Sequence, residues 1–395
     1  MPLPRASQFP LSITSFRRRL VLAAVVIITF IYVSSRLLKL STSGVPPTVV
    51  PKQDEAPNTS LPTTIYKPGT PKPSSQPYTR TLVIARTLNE PISWLTEDYD
   101  LTHDPHLTLS IYTVDDEKSN PSVPTNKGHE VMPYLTQIIT NYANLTDVTL
   151  FMHAHRWTWH NNDLLNSDAK LMVQSLSSEK VVRDGYMNLR CHLDPGCPDH
   201  IHPSSPSDGE FDQLNRPEEA IVGRAWLELF PEEKEKGPPT VLSQPCCAQF
   251  ALSKERIRAV PLKKYVFFRE WLLNTTLEDR LSGRVWEYVW HYIFTGVHEF
   301  CPEEHVCYCD GYGLCFGGKP EFEYWFSVRE KWRKMLRERD GLAEGEAEIR
   351  DKITSQMDVL QGEMDRLKAS ALERGKRPKN RATEVGRDWR EGDGF

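Results

Sequence analysis

The chain has 395 residues, with 48 Lys and Arg against 53 Asp and Glu, a net charge of −5 and a pI near 6.2. Basic residues are in excess only near the N-terminal apolar run and at the extreme C-terminus, so nothing in the charge balance points to nucleic acid. The eight Cys form an even set suited to pairing in an oxidising compartment.

The first element in the chain is an apolar run. Arg17, Arg18 and Arg19 precede an uncharged stretch from Leu20 to Ser35, 16 residues or about 24 Å of helix. A hydrocarbon core is roughly 30 Å thick, and extending the helix to Leu38 with Arg36 snorkelling closes the gap. The expectation is a signal-anchor over 20–38 with a cytosolic tail over 1–19. Four basic residues lie before the run and two after it, which puts the N-terminus inside and makes a single-pass type II protein of the Golgi or endoplasmic reticulum. The alternative is a signal peptide cleaved near Ser35 and a secreted product. Either way the remainder faces the lumen. Sequons at Asn58, Asn144 and Asn274 agree with that destination.

Residues 39–79 are rich in Pro, Ser and Thr and poor in large apolar side chains, which predicts a disordered stem. A folded α/β domain is expected over 80–320. Thr81–Arg86, Leu107–Val114 and Asp147–His153 read as strands, and His129–Asn141 as an amphipathic helix. Their alternation predicts a mixed or mostly parallel sheet flanked by helices. Pro261–Thr275 and Val285–Phe294 read as aromatic-rich helices. A helical extension follows over 321–374. Its Ile353, Met357, Leu360, Met364 and Leu367 recur at 4-3 spacing, so this helix either pairs as a homodimer or lies on its own domain. Residues 375–395 are charged and expected to be disordered.

Polar residues just past the carboxyl ends of parallel strands are the places to look for chemistry. Arg86 and Asn89 after the first strand suit a phosphate or ribose. Asp115 and Asp116 after the second suit a divalent cation or nucleotide hydroxyls. Asn126 and Gly128 enter the amphipathic helix, where Gly permits close backbone approach, although a plain helix cap for Glu130 reads equally well. His153 and His155 end the third strand at i and i+2, followed by Trp157, Trp159 and His160. These residues offer a metal site, a general base, or a sugar-stacking wall. Glu287 and His291 share a helix face at i and i+4. Glu287 is either a catalytic carboxylate or part of a buried Glu–His or Glu–Arg pair.

The spacing of Cys191 and Cys197 in a Pro/Gly loop suggests a local disulfide. Cys301, Cys307, Cys309 and Cys315 cluster without the knuckle spacing of zinc sites and favour disulfides. Adjacent Cys246 and Cys247 are expected to reach separate partners.

The segments Val83–Glu90 with Trp94-Leu95, Asn126–Glu130 with Tyr134-Leu135, Phe151–His155, Cys246–Phe250 and Trp286–His291 together resemble an uncharacterised family, domain of unknown function 3431. That resemblance covers about residues 80–316 and confers no activity. A more distant one is to GT-A type glycosyltransferases, which would imply a nucleotide-sugar donor, a glycan or glycoprotein acceptor and a Mn or Mg ion. Arg86 and Asn89 would take the donor and Glu287 the catalytic part. The departure is that His153-Ala154-His155 stands where those enzymes carry Asp-x-Asp. The leading expectation is a lumenal glycosyltransferase-like enzyme. The rivals are a glycan- or protein-binding module using Trp157 to His160, and a metal-dependent hydrolase using His153, His155 and His160.

Overall fold

The computed structural model describes residues 69–73, 75–205 and 218–391. The expected cytosolic tail, the span 20–38, most of the stem and Asn58 lie outside the described residues. Among the described residues no helix is long and apolar enough to cross a membrane.

Five strands form one sheet: β1 (Arg80–Arg86), β2 (Leu107–Thr113), β3 (Val148–His153), β4 (Tyr186–Asn188) and β5 (Phe250–Ser253). Their order is β2-β1-β3-β5-β4. The first three are parallel, in a register that sets Ala85 beside His153 and Arg86 beside Thr113. β5 runs antiparallel to both β3 and β4, so the sheet is mixed.

Thirteen α-helices complete the described chain. They are α1 (Ser93–Thr96), α2 (Tyr99–Thr102), α3 (Val131–Asn141), α4 (Ala169–Ser175), α5 (Ser178–Asp184), α6 (Glu218–Leu229), α7 (Lys254–Ala259), α8 (Leu262–Asn274), α9 (Asp279–Thr295), α10 (Glu304–Tyr312), α11 (Lys319–Asp340), α12 (Ala347–Gly375) and α13 (Pro378–Glu384). They cover both faces of the sheet, which is why Leu82-Val83-Ile84 is a continuous apolar run and not an alternating one. The period of two still sorts the side chains. Leu82, Ile84, Leu150 and Met152 join α4, α5, α10, α11 and α12 in one core. Val83, Phe151 and Phe250 join α3, α6, α8 and α9 in the other.

Four disulfides brace this frame. Cys191–Cys307 and Cys197–Cys301 tie the segment after β4 to the start of α10. The local Cys191–Cys197 bridge expected from spacing is therefore corrected. The loop between them runs along α10, where the Leu193 N–H donates to Glu304 Oε1 at 2.8 Å, and each cysteine faces that helix segment. Cys309 pairs with Cys315. Cys246 and Cys247 pair with each other, contrary to expectation. The backbone accommodates the bridge with left-handed φ values of 87° at Cys247 and 48° at Ala248.

The described residues of both flanks expected to be disordered pack on the domain. The last residues of the stem lie on the domain: the Gly69 N–H donates to Arg183 O at 3.0 Å, and Lys72 pairs with Asp147 at 2.6 Å. Beyond α12 the chain forms α13, where Ala382 is buried and Arg381 Nε donates to Gly375 O at 2.7 Å. A Cβ at Gly375 would meet Gly313 O at 1.9 Å, so glycine there permits the close approach of α10 to α12. α11 and α12 fold back on each other as a hairpin. The 4-3 seam faces this chain's own core: Met357 and Met364 are buried, Leu360 and Leu367 pack beside them, and Trp325 Nε1 donates to Met364 O at 3.0 Å.

Candidate functional site

The carboxyl end of β3 opens onto a cavity of about 530 Å³. Six parts of the chain build its wall: the loop after β4 brings Pro195 and His200, the start of α6 brings Glu218, and four others bring the rest. β3 and the loop after it bring His153, Trp159 and His160. The entry to α3 brings His129 and Glu130. The first half of α9 brings Arg280, Arg284, Glu287 and Tyr288. The segment before β5 brings the Cys246–Cys247 bridge.

Local geometry fixes these pieces against each other. The Gly128 N–H donates to the Asp279 carboxylate, and His129 lies 3.6 Å from the same group, pinning the α3 entry to α9. Gly128 has φ +71°, and a Cβ there would press on Leu272 at 2.8 Å. The Gly128 signal is thus one of backbone packing, and the cavity is lined by the two residues after it. The Glu130 side chain is enclosed, though the residue keeps some solvent contact. Burial pushes its carboxyl up to about 8, and the nearby charges of Glu287 and Asp279 add to the rise.

His153 donates its backbone N–H to Gln249 Oε1 at 3.1 Å, which ties β3 to the segment before β5. Its Nδ1 meets His160 Nδ1 at 3.2 Å, so one ring carries the proton there and the other accepts it. His153 Nε2 is buried and has no hydrogen-bond partner. Burial holds the His153 imidazole down to about 3, reinforced by His160, His155 and His129. Burial also lowers His160, opposed by the Glu287 charge. At near-neutral pH the cavity therefore holds a protonated carboxylic acid and two neutral imidazoles. A carboxyl held protonated at that pH is a recurrent sign of acid–base chemistry.

Glu287 is held on both oxygens. Oε1 accepts the Cys247 backbone N–H at 2.8 Å, and Oε2 pairs with Arg284 Nη1 at 3.0 Å. Of the pairings the helix spacing allowed, the Glu–Arg one is present. His291 is instead fully buried, with Nε2 against His298 O at 2.8 Å, and burial lowers it to about 4.

The remaining residues singled out from sequence lie elsewhere. Arg86 turns back on its own loop, donating from Nε to Thr87 O at 2.8 Å and from Nη2 to Leu88 O at 2.7 Å. Asp115 Oδ1 accepts the Leu88 N–H at 2.8 Å, and Asp116 Oδ1 accepts the Lys118 N–H at 2.9 Å. These carboxylates brace turns and do not line the cavity, so they do not fit a divalent cation held against it. Asn89 and Asn126 are exposed. His155, half exposed, lies 3.6 Å from Glu90 and joins Trp157 at a second cavity of about 440 Å³. Among the described residues, His153, His155 and His160 do not converge as metal ligands. The two clusters with ligand atoms within 4.8 Å, Cys246–Cys247–Glu287 and Cys309–Cys315–Glu384, both contain disulfide sulfurs. Asn144 and Asn274 are exposed.

Sequence reasoning did not assign Arg280, Arg284 or Tyr288 to the site and left Glu130 as a helix cap. The i−3 position of Arg284 relative to Glu287 is a signal that marks it. Glu130 carries no such signal, because its perturbation comes from elements distant in the chain.

No curated protein and no solved structure matches this chain. A family model described as "Protein of unknown function (DUF3431)" matches residues 82–310, more than half of the chain. It spans β1 to α10 and includes every element that lines the cavity. The chain is a member of the DUF3431 family.

Proposed function

We propose that this protein is a glycosyltransferase-like enzyme of the secretory lumen, transferring a sugar from a nucleotide-sugar donor to a glycan or glycoprotein. The observation that carries this reading is the cavity at the carboxyl end of the parallel strand β3. It combines a carboxylic acid raised to about 8, neutral imidazoles, a fixed Glu287 and two arginines beside an exposed indole. The parallel β2-β1-β3 core with polar residues at its carboxyl edge supports a GT-A-like architecture. The four disulfides support an oxidising compartment, in keeping with an anchor over 20–38.

In this reading Arg280 and Arg284 face the donor's diphosphate and supply the positive charge that Asp115 and Asp116 are not placed to recruit through a metal. The acceptor hydroxyl attacks the anomeric carbon as the bond to the diphosphate oxygen breaks. Glu287 takes the hydroxyl proton. Protonated Glu130 donates a hydrogen bond to substrate, and Trp159 stacks on a sugar ring.

The test is turnover of nucleotide-sugar donors by the full chain, read as nucleoside diphosphate release, with and without Mn²⁺. Glu287→Gln should lower kcat by about 10²–10⁴-fold while leaving donor-induced thermal stabilisation in place. Absence of turnover and of stabilisation with every donor would overturn the proposal. The exposed tryptophans favour one second reading, a glycan-binding module without catalysis, in which Glu287→Gln leaves cellular function intact and Trp157→Ala removes it.

A further inference from the structure

Trp157 and Trp159 are among the most exposed large apolar side chains in the described chain, at 66% and 59%. The loop that carries them is nevertheless tightly held. Asn161 and Asn162 are fully buried beneath it. Asn161 Nδ2 donates to Arg156 O at 2.9 Å and to Ser167 O at 3.1 Å. Asn162 donates to Leu189 O and accepts from the Cys191 N–H, both at 2.8 Å. Arg156 makes a two-pronged pair with Asp168 at 3.0 Å on each arm. A segment this well anchored does not expose two indoles through slackness, and exposed aromatics on a rigid loop mark a binding surface.

The two indoles serve different cavities. Trp159 lines the one that holds Glu130 and Glu287. Trp157 lines the second, with Trp94, Glu97, Asp98 and His155. Each indole carries a guanidinium over its ring, Arg156 at 4.3 Å and Arg190 at 5.1 Å, which fixes its plane. The second cavity mixes aromatic surface with carboxylates and an imidazole. Arg156 also lines it but is paired with Asp168, and Asp98 is paired with Lys170, which leaves Glu97 to disfavour a phosphate there. A neutral, hydroxyl-rich ligand with apolar C–H faces matches the Trp157 surface, and that is the chemistry of a carbohydrate.

We infer that the Trp157 cavity is an extended acceptor subsite, so that the acceptor is an oligosaccharide and not a single sugar. Trp159 stacks the ring at the transfer position and Trp157 stacks a ring further along the chain. This rests on the proposed transferase function, but its test needs no donor and no turnover.

The experiment is titration of the full chain with mannose oligosaccharides and chitooligosaccharides of one to six residues, followed by tryptophan fluorescence and calorimetry. Affinity for at least one series should rise about tenfold or more between the monosaccharide and the longer members. Trp157→Ala should flatten that length dependence while leaving monosaccharide affinity and thermal midpoint unchanged. Trp157→Phe should retain most of it. Trp159→Ala should weaken every length alike. A Trp157→Ala variant with unaltered length dependence, or failure of both series to bind, overturns the inference. Length-dependent binding in a protein that neither turns over nor is stabilised by any donor would instead overturn the transferase reading and leave the Trp157 cavity as an oligosaccharide-binding subsite.

Discussion

Replacing Glu130 by Gln removes the most perturbed acid in the cavity while keeping its shape. Its carboxyl ionises at an ordinary 4.5 when unfolded and at about 8 when folded. Between those values the folded state binds more protons than the unfolded one. The stability from this group is therefore fully present below pH 4.5 and lost as pH rises through 8. The full difference corresponds to at most about 5 kcal/mol, and water reaching the partly exposed residue reduces the expected loss to about 2–3 kcal/mol. His153 works in the opposite sense. Its imidazole is lowered from 6.5 to about 3, so its contribution is present above pH 6.5 and lost as pH falls toward 3. Together they place maximum stability between about pH 4.5 and 6.5. The assay is urea unfolding of both proteins from pH 4 to 9. Glu130→Gln should match the native protein at pH 5 and exceed it at pH 8.5. If the two profiles stay parallel across that range, Glu130 is not buried as described.

Three further outcomes follow from the same structure. Cys197–Cys301 lies inside the loop closed by Cys191–Cys307, so with one bridge intact the other closes a ring of only about 14 residues. Replacing either pair by Ser should cost about 3 kcal/mol, and replacing both about 8, more than the two single costs combined; additive values in chemical denaturation would refute the nesting argument. Opening the Cys246–Cys247 bridge as the double Ser variant frees the backbone that donates its N–H to Glu287. Turnover should fall about tenfold or more with the thermal midpoint little changed, and an unaltered kcat would deny that bridge a positioning role. Lys264 is fully buried among Phe230, Phe267 and Phe268, with its ammonium 3.1 Å from Glu232. Replacing both partners, Lys264→Met with Glu232→Leu, should be neutral or stabilising by about 1–4 kcal/mol in denaturant melts, whereas Lys264→Met alone, which takes the ammonium away from Glu232 and Leu229 O, should cost about 3–5 kcal/mol.

Most elements are legible in the sequence. The apolar run Leu82-Val83-Ile84 announced a strand covered on both faces, and the spacing of Val131, Leu135 and Ile138 announced a helix. Both are local patterns of hydrophobic period. The tail beyond residue 375 has a polar composition that predicts disorder, yet it forms α13. It is held by contacts invisible to composition, such as Gly375 against Gly313 and Gly317 N–H donating to Glu384 at 2.9 Å. The Cys191–Cys307 and Cys197–Cys301 bridges differ from the spacing-based expectation for a related reason: spacing along the chain says little when a loop folds across a distant helix.

The alternation of strands and helices, the even cysteine count and the strand-end positions of His153 and Arg86 were fixed by covalent order alone. Tertiary structure decided which of those residues meet. His153, His160 and Glu287 share a cavity, while Arg86, Asp115 and Asp116 support turns outside it. It also made Glu130 a candidate acid, since a carboxyl's pKa depends on the dielectric and the charges that packing brings around it. No window of sequence contains those neighbours.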